Sequence, residues 1–261
     1  MSKTIFITGA TDGIGLLTAE TLAAQGHTVL LHGRSAPKLE AAAAKVGGSP
    51  ECYVADLLVM SDVEAMAQEI LDKHSQLDVL INNAGVLKVP QARTADGYDV
   101  RFYVNTFAPY VLTKRLLPII PSDGRVVNLS SAAQAPVDVA AMAGKGALDD
   151  MTAYAQSKLA ITIWSREMAR DHPNGPTIVA VNPGSLLASK MVKEGFGVAG
   201  NDLQIGADIL CMAAVSPEFA YASGQYFDND AGRFGQPHGA ALDAGHSKAV
   251  MEELNRIVAA L

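Results

Sequence analysis

Long apolar runs are missing from this sequence. Although 49% of its residues are hydrophobic, Gly, Asp, Asn or Lys interrupts each run well short of the roughly 20 residues that a membrane-spanning helix needs. Cysteine is scarce as well. Cys52 and Cys211 lie in unrelated contexts without C-x-x-C spacing, which gives no disulfide framework or redox motif and reads as two buried thiols. Basic charge is not in excess: 20 Lys and Arg against 27 Asp and Glu leave a formal net charge of −7. With no basic stripe to meet a phosphate backbone, nucleic acid is not the expected partner. The histidines His27, His32, His74, His172, His238 and His246 are scattered rather than clustered or set at i, i+4, so no metal site is expected. The chain enters an apolar strand at Thr4–Thr8 without a basic leader or a small-residue cleavage site. No signal peptide is therefore expected, and the expected location is the cytoplasm.

What is present is an alternation of short β-branched runs with longer stretches of helical period. Strands are expected at 3–8, 27–32, 51–55, 77–82, 124–130, 176–181 and 223–228, and helices at 13–25, 36–46, 61–75, 96–118, 151–171 and 202–215. This is the pattern of an α/β fold, a doubly wound Rossmann-type parallel sheet of about seven strands with helices on both faces. The length of 261 residues suits one such domain, 1–261, better than two. Asp12 is placed to cap the first helix, and Asp62 and Glu64 fall in the first turn of the third, near the positive end of its dipole. Two segments break the alternation. Residues 132–150 form an insert, either a functional loop or a flexible one, and 185–201 follow a strand end. Both should emerge beyond the carboxyl ends of the strands, where an open parallel sheet has its ligand crevice, as walls of a substrate site. Near the end, Val250, Met251, Leu254, Ile257, Val258 and Leu261 recur at helical spacing, an apolar stripe for the chain's own sheet or for a second subunit.

The first strand runs through Thr8-Gly9-Ala10-Thr11-Asp12-Gly13-Ile14-Gly15 into a helix. Glycines there let backbone approach a pyrophosphate, and free N–H groups at the helix start supply donors, so Gly9, Thr11, Asp12, Gly13, Ile14 and Gly15 are candidate cofactor residues. Taken alone, such a turn also closes ordinary βα units. The second strand ends in Leu30-Leu31-His32-Gly33-Arg34-Ser35. An NAD-selective fold places an acidic residue about twenty positions past the glycine turn. Gly33 stands there instead, and Arg34 with Ser35 offers a guanidinium and a hydroxyl to a 2′-phosphate. The expected cofactor is NADP(H), with NAD(H) as the alternative; Asp12 counts against a strong preference, and a plain solvent-facing arginine is the competing reading of Arg34. Tyr154 and Lys158 are four apart on an expected helix and share one face. There an ammonium should lower a phenol's pKa from near 10 by about two or three units and fit it for proton transfer. Ser130 and Ser131 end a strand, where a hydroxyl can donate to an oxygen that gains negative charge.

In order along the chain stand T-G-x-x-x-G-x-G, Asn82-Asn83-Ala84-Gly85, Asn128-Leu129-Ser130-Ser131, Tyr154-Ala155-Gln156-Ser157-Lys158 and Asn182-Pro183-Gly184. Over residues 3–230 the sequence thereby resembles the short-chain dehydrogenases/reductases. The resemblance implies an oxidoreductase moving a hydride between a nicotinamide dinucleotide and a carbonyl or alcohol, with Asn105, Ser131, Tyr154 and Lys158 as the catalytic set. It also implies that Lys158 binds the nicotinamide ribose, and that Asn105 bends a central helix and holds a water leading to Lys158. Asp56, with Leu57 beside it, would meet the adenine, although an aspartate just past a strand is equally a turn former. Asn83, Ala84, Gly85, Pro183 and Gly184 would line the cofactor site. The threonine that relatives often carry after Pro-Gly is replaced here by Ala188 or, one residue on, by Ser189, the candidate for holding the nicotinamide amide. Ser131 precedes Tyr154 by 23 residues, against about a dozen in many relatives, and this longer loop resembles the retinol dehydrogenase-like branch. Apolar residues in 132–152, with Phe196 and Val198, suggest a small to medium apolar substrate. Relatives commonly form homodimers or homotetramers. A hydrolase is set aside because no G-x-S-x-G occurs. A non-catalytic dinucleotide-binding regulator is the rival reading, but it would have no use for a proton relay.

Overall fold

β-Branched and apolar runs bounded by Gly, Asn or Asp form the strands, and each hands the chain to a helix in a computed structural model that describes residues 2–188, 191, 193, 197 and 199–261. In chain order these are β1 (Thr4–Ile7), α1 (Gly13–Ala24), β2 (Thr28–Gly33), α2 (Ala36–Val46), β3 (Cys52–Val54), α3 (Met60–Lys73) and β4 (Val79–Asn82). Then come α4 (Val100–Phe102), a π-helical turn (Tyr103–Phe107), α5 (Ala108–Leu116), β5 (Arg125–Leu129), α6 (Val139–Met142), α7 (Asp150–Asp171) and β6 (Thr177–Asn182). The chain closes with α8 (Leu203–Val215), β7 (Tyr226–Asp228), β8 (Arg233–Gly235) and α9 (Ala244–Val258).

The sheet order is β3-β2-β1-β4-β5-β6-β7-β8. Every pairing from β3 to β7 is parallel, and β8 alone runs antiparallel, folded back on β7 with Phe227 opposite Phe234. Among the described residues the expected seven strands are thus eight, because the turn after Asp228 returns as a short hairpin. Strands β4, β5 and β6 are buried along their whole length, as strands covered on both faces must be. One face carries Phe6, Leu30, Leu80, Val126 and Ile178 against helices that include α3, α5, α7 and α9. The other carries Ile5, Ile7, Leu31, Ile81, Val127 and Val179 against helices that include α1 and α8. The order reverses between β1 and β4, which opens a crevice at their carboxyl ends.

Several expectations change. The single helix over 96–118 begins at Val100, because the Asp99 carboxylate accepts the Arg101 N–H and caps it, and its middle is a π-helical turn centred on Asn105. Asp12 stands at the N-cap of α1, but its side chain makes no capping hydrogen bond. Asp62 lies in the first turn of α3 while Glu64 lies beyond it and pairs with Arg115 at 3.0 Å. Cys211 is buried, whereas Cys52, on the edge strand β3, is exposed. The stripe of α9 is used within the chain: Val250, Leu254 and Ile257 are fully buried in the same core as Trp164, and the Tyr110 hydroxyl donates to Asn255 Oδ1 at 2.7 Å. Among the described residues no helix is long and apolar enough to cross a membrane.

The insert 132–150 is held in place. Asp138 caps α6 by accepting the N–H groups of Ala140 and Ala141, and its own N–H donates to Gln156 Oε1 at 2.9 Å. Arg93 donates to the carbonyls of Gly97 and Gly144, each at 2.9 Å, and to that of Gly146. The Val137 N–H donates to His246 Nε2 at 3.2 Å.

Candidate active site

The glycine turn packs directly on the strand next to it. A Cβ on Gly15 would come within 2.4 Å of both Asn83 Nδ2 and the Gly9 carbonyl oxygen, and Gly9 has φ +66° with Ala84 Cα only 3.0 Å from where its Cβ would stand. Glycine at these two positions is what lets β1 and β4 present their ends together. Asn83 and Ala84 fasten the junction: both N–H groups donate to Thr8 Oγ1 at 3.1 Å, and the Asn83 amide donates to the carbonyls of Thr8 at 2.8 Å and Gly9 at 3.1 Å. Thr11, Asp12, Gly13 and Ile14 follow at the start of α1, where the Asp12 side chain leaves the first helical N–H groups uncapped.

At the end of β2, Arg34 is exposed and Ser35 half-buried. Gly33 lies against the glycine turn so closely that a Cβ there would stand 2.3 Å from Thr11 Cγ2. Past β3, Asp56 does make a turn, accepting the Leu58 N–H at 3.0 Å, and its own N–H donates to Asp62 Oδ2 at 3.2 Å. Leu57 beside it is buried.

Tyr154 and Lys158 share one face of α7, which the Asp149 carboxylate caps through the Thr152 N–H. The Lys158 ammonium donates to the Leu129 carbonyl at 2.7 Å and lies 5.7 Å from the centre of the Tyr154 ring. Its direction corrects an expectation. Burial pushes the Tyr154 phenol up rather than down, with the Ser131 hydroxyl acting against the rise, and the same burial lowers Lys158 from 10.5 to about 8. The ammonium is spent on a backbone oxygen of β5, so it does not charge the phenol here.

The paired serines part company. Ser130 is buried, its hydroxyl 2.6 Å from Thr162 Oγ1 and 3.1 Å from the Lys158 carbonyl, so it fastens β5 to α7. Ser131 is the one beside Tyr154. Its carbonyl accepts from the Tyr226 hydroxyl at 3.1 Å and from Gln134 Nε2 at 2.8 Å, while its Oγ accepts the Ala133 N–H at 3.1 Å. Asn105 is buried at the centre of the π-helical turn; its Oδ1 accepts the Val86 N–H at 2.8 Å, and its Nδ2 donates to the Val86 carbonyl at 3.0 Å and Ser157 Oγ at 2.9 Å. A Cβ on Gly85 would be 3.4 Å from both Asn105 Oδ1 and Lys158 Nζ, so β4, the π-helical turn and α7 converge on one point.

Beyond β6, Asn182 Oδ1 accepts the Gly184 N–H at 3.2 Å, and Asn229 donates to the Pro183 carbonyl at 2.9 Å. Asp230 accepts the Ser185 N–H at 2.8 Å and its hydroxyl at 2.5 Å. Ser189, Phe196 and Val198 lie outside the described residues. The structure thus brings Asn105, Ser131, Tyr154 and Lys158 together beside the glycine turn and the Asn83–Gly85 segment, with Pro183 and Gly184 at the neighbouring strand end.

Sequence reasoning missed four residues that shape this place: His32, Gln134, Arg93 and Tyr226. Only His32 carried a signal, a polar side chain inside an otherwise apolar strand.

A family profile described as short chain dehydrogenase matches residues 3–196. Human retinol dehydrogenase 13 is 32% identical, over 87% of this chain and 76% of that protein. Among solved structures, an uncharacterised protein from Mycobacterium paratuberculosis has a TM-score of 0.81 and 31% identity, covering 98% of this chain and 93% of the other. A short chain dehydrogenase from Shigella flexneri, complexed with NADP, has a TM-score of 0.70 and 27% identity, covering 87% of this chain and 97% of its own. The chain belongs to the short-chain dehydrogenase family of NAD(P)-dependent oxidoreductases acting on CH–OH groups.

Proposed function

We propose that this protein interconverts a small to medium apolar alcohol and its carbonyl compound with NADP(H), and that Ser131, Tyr154, Lys158 and Asn105 form its proton relay. The observation that carries the reading is the convergence of Ser131, Tyr154 and Lys158 beside a glycine turn whose Gly15 and Gly9 leave no room for a Cβ. A cradle shaped this way, followed by uncapped N–H groups at the start of α1, fits a dinucleotide pyrophosphate. Gly9–Gly15, Asp56, Leu57, Asn83–Gly85, Lys158, Pro183 and Gly184 would hold it. The dinucleotide, when bound, supplies or accepts the hydride.

Tyr154 then acts on the substrate oxygen. Burial keeps its phenol protonated at neutral pH, so in the reducing direction it gives its proton to the oxygen that gains charge. Ser131 donates a hydrogen bond to the same oxygen, and its backbone is fixed from two sides by Tyr226 and Gln134. Lys158 stands behind the phenol as the next proton-bearing group, with a pKa of about 8 that lets it exchange protons near neutrality. Asn105 locks Val86 to Ser157 and thereby holds β4 against α7.

The NADP(H) preference rests on Gly33, where no carboxylate opposes a 2′-phosphate, and on the exposed Arg34 next to it. An apolar substrate is supported by the likeness to a retinol dehydrogenase, whose named substrate is an apolar alcohol. The test is a panel of aldehydes, ketones and alcohols with both cofactors, followed by absorbance of the reduced nicotinamide. Turnover should appear with NADP(H) first. Arg34→Ala should weaken NADPH binding by about 1.5–3 kcal/mol, the range for a charge-assisted hydrogen bond, and leave NADH nearly unchanged. A parent enzyme that prefers NADH, or equal losses for both cofactors, would overturn the preference.

A further inference from the structure

We infer that His32 is a positioning residue for the dinucleotide: a neutral imidazole that ties the glycine turn, which would face the pyrophosphate, to the Asp56–Leu57 segment, which would face the adenine. The inference rests on the cofactor reading above. His32 lies one residue before the end of β2 and is 3% exposed. The Gly9 N–H donates to its Nδ1 at 3.1 Å, its Nε2 is 3.0 Å from the Ala55 carbonyl, and its own carbonyl accepts the Ala10 N–H at 2.9 Å. One ring therefore spans from β1 to the end of β3, across the strand between them.

The chemistry of the two partners fixes the state of the ring. An amide N–H can only donate, so Nδ1 must present a lone pair; a carbonyl can only accept, so Nε2 must carry the hydrogen. A single neutral tautomer meets both demands. The cationic form would set an N–H against the Gly9 N–H. Burial opposes that form, lowering the ring to about 4 against the upward pull of the Ala55 carbonyl and of Asp56, the charged group that acts on it. The edge of the ring meets Phe6, with centroids 6.4 Å apart, so packing as well as hydrogen bonding holds its orientation. A residue whose task was only to fill this site would not need two polar atoms aimed at two cofactor segments.

His32→Phe keeps the ring volume and removes both bonds. NADPH fluorescence titration should show affinity falling by about tenfold or more, because a glycine turn released from His32 must be ordered when the dinucleotide binds. NADH should lose the same factor, because both cofactors share the pyrophosphate and adenine. His32→Asn, whose Oδ1 can again accept from Gly9, should recover part of the loss, although both variants lose unfolding stability. Parent-like NADPH affinity in a folded His32→Phe protein would overturn the inference and leave the cofactor reading intact. A parent that binds neither dinucleotide would overturn both. Should His32→Phe not fold, ¹⁵N spectra of the parent imidazole decide: an unprotonated Nδ1 at neutral pH whose resonance moves on adding NADPH supports the role, and a protonated or unresponsive Nδ1 refutes it.

Discussion

Burying Lys158 should leave a mark on stability that can be read without knowing the substrate. The residue is 4% exposed, and its ammonium has the Leu129 carbonyl as its hydrogen-bond partner and titrates at about 8 instead of 10.5. Because the folded value lies below the unfolded one, the cost of burying the charge is borne in full below about pH 8. Above that the folded state has released the proton while the unfolded chain still holds it, so stability rises with pH. The whole gap corresponds to about 3.4 kcal/mol, of which about 2 kcal/mol should appear between about pH 7 and about pH 9.5. For a chain of this size that is roughly 4–8 °C in melting temperature. Burial raises the Cys211 thiol from 9.0 to about 12, so its contribution is lost above about pH 9 and takes back part of the Lys158 rise, and Tyr154, Tyr226 and Tyr53, which titrate above the ordinary tyrosine value, close the window above about pH 10. Urea unfolding of the cofactor-free protein across this range is the assay, with Lys158→Met as the control. The variant should lose the rise, although at neutral pH the orphaned Leu129 carbonyl offsets part of what it gains, by about 1–3 kcal/mol. A parent whose stability is flat or falls with pH, or a Lys158→Met protein that rises by the same amount, would refute the reasoning.

Tyr154→Phe should lower kcat by about 10²–10⁴-fold, the usual share of a positioned general acid, while NADPH titration stays close to the parent; a kcat within about threefold would remove Tyr154 from the relay. Ser131→Ala should reduce kcat, whereas Ser130→Ala should chiefly lower unfolding stability, by about 1 kcal/mol, because its hydroxyl is committed to Thr162 and the Lys158 carbonyl. Kinetics and urea curves of the two variants would expose the opposite ranking. Gly33→Asp alone should impair both cofactors, since its Cβ would meet Thr11 Cγ2 at 2.3 Å. Adding Thr11→Ala should restore NADH binding ahead of NADPH, and identical affinities in the single and double variants would show that Thr11 imposes no such constraint.

What could be read from the sequence divides along a physical line. Tyr154 and Lys158 were legible as a pair because four residues on a helix fix a shared face whatever the rest of the chain does, and the glycine turn was legible because its requirements are local backbone ones. Where Lys158 sends its ammonium was not, because the Leu129 carbonyl that receives it belongs to β5 and its distance is set by how α7 rests on the sheet. The resemblance implied a bend in the helix at Asn105, but its π-helical form was not legible, for a related reason. Its apolar period is that of an α-helix, and the extra residue is stabilised by Val86 and Ser157, partners 19 and 52 positions away. The hairpin to β8 carried a local sign in Asn229-Asp230-Ala231-Gly232, a turn-forming run that merited a strand after it. His32 shows the limit from the other side. A histidine within an apolar strand announces that something polar must receive it, since an unpartnered imidazole would be costly to bury. Which groups do so follows only from the order β3-β2-β1, which sets the strand bearing His32 between the two segments it joins. Local chemistry therefore marked the candidate reacting groups, and sheet order decided which residues hold them in place.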